Sequence, residues 1–101
     1  MKKVKITVMK KANYPDLIEK YEGINESGCP LEVGQVYISE NLEMPENFCK
    51  SAWNSIREYV AVLAWNGEDI YDGWMKDPES VMLSCADGFR PVSFYVETIE
   101  E

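Results

Sequence analysis

Residues 2–9 alternate, with Val4, Ile6 and Val8 in one phase and Lys3, Lys5 and Thr7 in the other. A period of two places each set on its own face of an extended chain, so the segment reads as a half-buried first strand. The pattern changes at Asn13-Tyr14-Pro15-Asp16, which reads as a helix start. Asn13 is a capping residue type, proline is tolerated in a first turn, and an acidic side chain suits the positive end of the helix dipole. Leu17, Ile18 and Tyr21 form the apolar side of this short helix, and Gly23 closes it. Residues 22–34 are rich in turn formers and read as irregular, with Cys29, Leu31 and Val33 alternating so as to tie the stretch to the core. Residues 35–39 read as a short strand.

The longest periodic run lies between Phe48 and Trp65, where Cys49, Trp53, Ile56, Val60 and Leu63 recur in steps of four and three. That is the repeat of one helix face, and all five are expected to be buried. Asn66-Gly67 ends the helix, and residues 67–79 form a loop carrying Tyr71 and Trp74. Such a loop either serves function or folds over the core as an aromatic lid. Val81, Leu83 and Cys85 then share one strand face, as do Val92, Phe94 and Val96. Between them, Asp87-Gly88 reads as a tight hairpin turn in which Gly88 supplies a positive φ. The expected architecture is a single α+β domain over residues 1–101: a small antiparallel sheet of about four strands, with one long and one short helix packed on one face.

Composition supports a folded chain. With 101 residues, 46% of them hydrophobic and 12% aromatic, the chain can bury one modest core and is too apolar for a disordered segment. Charge narrows the partners. Five of the ten basic residues (Lys2, Lys3, Lys5, Lys10, Lys11) fall within the first eleven positions, leaving five against all 18 acidic side chains in the rest. An acidic body repels phosphate backbones, so no nucleic-acid partner is expected. The lysines themselves read as a solvated strand face that blunts a sheet edge. Lys5, Lys10 and Lys11 interrupt the apolar residues after Met1 and leave no export signal, and no run approaches the roughly 18 apolar residues of a membrane span. Three cysteines without a C-x-x-C fit a reducing cytoplasm.

No histidine occurs, so catalytic triads, Cys-His pairs and His-containing zinc sites are excluded within one chain. Nucleotide-binding glycine loops are also absent. The chemistry that remains lies in Cys29, Cys49, Cys85, Asp87 and Arg90, the candidate binding site. Cys49 and Cys85 are in phase with core positions, so the thiols are either packing residues, a reactive or redox group, or three metal ligands with Asp87 as a fourth. Cys49, at the start of the long helix, is the thiol a helix N-terminus would activate. Asp87 and Arg90 are spaced for an ion pair across the turn; alternatively, Arg90 presents its planar fork to a ligand carboxylate or phosphate.

The segments Cys29-Pro30-Leu31-Glu32-Val33-Gly34-Gln35, Met44-Pro45-Glu46-Asn47-Phe48-Cys49, Ala52-Trp53 and Cys85-Ala86-Asp87-Gly88-Phe89-Arg90-Pro91-Val92-Ser93-Phe94 resemble a family of small uncharacterised prokaryotic proteins, common in anaerobes and marked by a Cys-x-Asp-Gly-x-Arg-Pro-Val signature. The resemblance implies that Cys29, Cys49, Cys85, Asp87, Gly88, Arg90 and Pro91 are signature positions sharing one site, and it implies no activity. Leu31 stands near the first cysteine where the family often has an aromatic residue. The function expected from these observations is that of a small non-enzymatic cytoplasmic binding or accessory protein without a cofactor, whose partner is a protein or a small-molecule ligand. The alternative is a thiol-based redox or metal-binding protein using Cys29, Cys49 and Cys85.

Overall fold

The computed structural model describes residues 1–23 and 29–99. Its elements in chain order are β1 (Lys3–Lys11), α1 (Pro15–Tyr21), β2 (Val36–Ser39), α2 (Lys50–Ala64), β3 (Ser80–Ser84) and β4 (Val92–Ile99). The strands form a four-stranded sheet in the order β2-β1-β4-β3, and each neighbouring pair is antiparallel. This is the expected α+β architecture. The alternation in β1 decides the faces: Val4, Ile6 and Val8 point inward beside Val92, Phe94 and Val96 of β4 and Val81 and Leu83 of β3, all buried. The register shifts between Val8 and Lys10, so Met9 is an extra residue on β1 and the inward alternation stops there. Because β1 lies between β2 and β4, its lysines decorate an interior strand. They do not guard a sheet edge, as their pattern alone suggested.

Helix α2 lies across β1, β3 and β4 and buries Trp53, Ile56, Val60 and Leu63 against them, together with Ala52 and Ala64. The helix ends in a Schellman motif, with the Asn66 N–H donating to the Leu63 carbonyl and the Gly67 N–H to the Val62 carbonyl. Asn66 takes the left-handed position at φ 68°. Gly67 serves a different need, since a Cβ there would sit 2.7 Å from the Val62 carbonyl oxygen and closer still to the Val62 side chain. Ahead of α2, Phe48 joins three elements: its ring lies 5.0 Å from Tyr37 of β2, 5.5 Å from Phe94 of β4 and 6.4 Å from Trp53.

The short helix contributes differently. α1 buries no residue, and its first-turn position is held by backbone bonds from Ala12 to Pro91 and from Tyr14 to Phe89. Tyr14, not Asn13, occupies the N-cap position, and no side chain caps the helix. Beyond Gly23, the reading of residues 24–28 as irregular lies outside the described residues. Leu31 is buried as expected, but Val33 is 60% exposed, so the alternation there does not extend to the core. In the loop after α2, Tyr71 packs on the core and donates its hydroxyl to the Met82 carbonyl at 2.7 Å, while Trp74 remains exposed. Among the described residues no helix is long and apolar enough to cross a membrane.

Candidate functional site

The start of α2, the end of β3, the start of β4 and the segment before β2 meet at one end of the sheet. They border a solvent-open hollow of about 590 Å³. Cys29, Cys49, Cys85, Asp87 and Arg90 all line it, joined by Glu22 at the end of α1 and by Ser51 and Ser55 on the first turns of α2. Five residues singled out from the sequence thus share one hollow.

Each thiol arrives on a separate support. Cys49 is the N-cap residue of α2, and its side chain makes no capping hydrogen bond. Cys85 follows β3 in the inward phase; its N–H donates to the Val92 carbonyl at 3.0 Å, and the Val92 N–H returns to its Sγ at 3.3 Å. Cys29 is anchored by Lys11, whose ammonium donates to the Cys29 carbonyl at 3.1 Å, and by Leu31, which sinks into the core two residues on. All three cysteines are free and half-buried. Burial pushes the Cys29 thiol up; the Leu31 N–H opposes this, and the neighbouring Cys49 and then Cys85 sulfurs push it further up. Both other sulfurs thus bear on the Cys29 thiol.

The charged residues are occupied within the protein. Arg90 donates two parallel bonds of 2.9 Å to the Glu22 carboxylate, a bidentate pair between positions 68 apart in sequence. The Arg90 side chain holds the Glu22 carboxyl below its usual range, and Glu22 raises Arg90 in return. Asp87 accepts the Phe89 and Arg90 backbone N–H groups at 2.8 and 3.0 Å, and these two bonds hold its carboxyl low. The ion pair suggested by the spacing of Asp87 and Arg90 is thus replaced by an Asx-type turn on one side and a long-range pair on the other. Gly88 is not among the positive-φ residues. The connection from Cys85 to Pro91 is a wide one shaped by Asp87 and tied to α2, where Ser55 accepts the Ala86 N–H at 3.1 Å.

Among the described residues, no group of three Cys, Asp or Glu side chains has an arrangement suited to a metal ion. Asp87, the suggested fourth ligand, is turned to backbone donors. Sequence reasoning missed Glu22 and Ser55, whose roles come from tertiary contact with the Cys85–Pro91 connection and leave no local pattern. No family model, curated protein or solved structure matches the chain.

Proposed function

We propose that this chain is a small binding protein that takes its ligand through the thiols of Cys29, Cys49 and Cys85. The observation that carries the reading is their convergence: three segments remote in sequence each deliver a sulfur to the same cavity. Packing alone requires no such meeting. The charged groups around the thiols are already satisfied by one another and by backbone, so sulfur is the free chemistry there, and the ligand it suits is thiophilic. The cavity volume of about 590 Å³ is within the range of small-molecule sites. A reducing cytoplasm belongs to the same proposal, because a thiol site works only while its thiols stay reduced.

Phenylarsine oxide tests it, because a trivalent arsenical bridges two adjacent thiols and then resists displacement by a monothiol. The native protein is expected to retain one equivalent through a 2-mercaptoethanol wash. The Cys29→Ala/Cys49→Ala variant, with a single thiol left and its fold checked by circular dichroism, is expected to release it. No retention by the native protein, or equal retention by the single-thiol variant, contradicts the reading.

A further inference from the structure

We infer that Cys29 and Cys49 form a dithiol–disulfide pair that exchanges with small-molecule disulfides, with Cys85 standing outside the pair; the inference rests on the thiol-site reading above. The three sulfurs differ in how they are held. Cys85 is fixed to the end of the β3–β4 ladder by hydrogen bonds in both directions with Val92, one of them made to the sulfur itself. Cys49 has no such restraint: it precedes the first turn of α2 with its side chain free of any cap bond. Cys29 is the partner left to it, because both residues line the one hollow from separate segments of the chain, and the Cys49 sulfur is among the causes that push the Cys29 thiol up. A second thiolate beside a first is opposed by like charge, and a bond between the two sulfurs removes both charges.

Burial disfavours the Cys29 thiolate, which suits Cys29 to the second step. The Cys49 thiolate attacks one sulfur of the small disulfide RSSR, the S–S bond breaks, and RS⁻ leaves, taking up the proton that Cys49 had lost. Cys29 then gives its proton to solvent and attacks the Cys49 sulfur. The Cys29–Cys49 bond forms, and the second RS⁻ departs and is protonated. Two cysteine thiols are oxidised by two electrons, and RSSR is reduced to two RSH. The hollow is open to solvent and large enough to admit one end of such a disulfide.

Glutathione disulfide serves as the probe. Reduced protein is incubated with it, alkylated with iodoacetamide and mapped by mass spectrometry. Two of the three thiols are expected to be lost, two glutathiones released per chain, and a Cys29–Cys49 linked peptide recovered. The Cys29→Ser variant is expected to stop at a single glutathione adduct on Cys49, and the Cys49→Ser variant to yield no internal bond. Three alkylated cysteines in the wild type, stable glutathione adducts without an internal bond, or a linkage that includes Cys85 each overturn the inference. A wild type that retains phenylarsine oxide but resists glutathione disulfide refutes the redox pair alone, whereas failure in both experiments refutes the thiol site itself.

Discussion

Replacing Phe48 by alanine tests the packing that carries Cys49 to its place. Phe48 is 6% exposed and meets Tyr37, Phe94 and Trp53 at ring distances of 5.0, 5.5 and 6.4 Å. It therefore joins the edge strand β2, the central strand β4 and α2 through one side chain. Truncating a buried phenylalanine costs about 3–5 kcal/mol, a large share of the roughly 5–15 kcal/mol available to a small domain. In a chain of this size that corresponds to a fall in Tm of at least about 12 °C. Phe48→Leu keeps most of the volume and loses the aromatic contacts, each worth about 0.5–1.5 kcal/mol, so an intermediate cost of about 1.5–3 kcal/mol is expected. Urea titration followed by tryptophan fluorescence and circular dichroism gives both values, with an unchanged m-value showing that the folded state is retained. An alanine variant within about 1 kcal/mol of the wild type would refute the role given to this ring.

Two glycines are expected to respond in opposite directions. Gly88→Ala should raise stability by about 0.4–1 kcal/mol, since its backbone lies outside the left-handed region and a Cβ meets nothing within 4 Å; a loss would restore the tight-turn reading. Gly67→Ala should cost about 1–3 kcal/mol through overlap with Val62, and a neutral denaturation midpoint would contradict the close approach. The acid limb of stability tests the Arg90 pair. Glu22 titrates below its ordinary 4.5 when folded, so the stability it contributes is present above that value and is lost as pH falls through the lower folded one. Thermal melts of wild type and Glu22→Gln should differ most at neutral pH and converge as pH falls below 4.5 through the lower folded value, and curves with a constant offset would show that the pair does not titrate as described.

The sheet and the long helix were legible because their periods are enforced by burial. Val4, Ile6 and Val8 in β1 and Trp53, Ile56, Val60 and Leu63 in α2 all face the core that their spacing implies, whereas Cys49, the first of the five spaced positions, is only half-buried because it stands at the N-cap ahead of the helix. The same logic fails for Leu17, Ile18 and Tyr21, since an apolar stripe buries nothing unless tertiary structure supplies a surface, and α1 meets none that covers it. Asp87-Gly88 misled for a related reason. A dipeptide marks a chain reversal but not where the ladder stops, and here pairing ends at Ser84 and Ser93, leaving Asp87 to shape a wide connection. The five candidate site residues could be named from their chemistry. Their meeting in one cavity was an alternative that no local spacing required, because it depends on how a loop, a helix start and a strand end are brought together, and the partner that occupies Arg90 stands 68 positions away.

The neighbourhood of the three sulfurs is the centre of this account, and bridging with dibromobimane measures it most directly. The reagent alkylates two thiols only when both lie within the span of one small ring system. Reduced native protein is treated, digested and mapped. A Cys29–Cys49 bridge is expected as the main product, with Cys85 bridged only in the remainder and no bridge in the Cys49→Ala variant. Single-site adducts on all three cysteines, in the same proportions as in protein unfolded by guanidinium, would contradict the convergence and the function built on it.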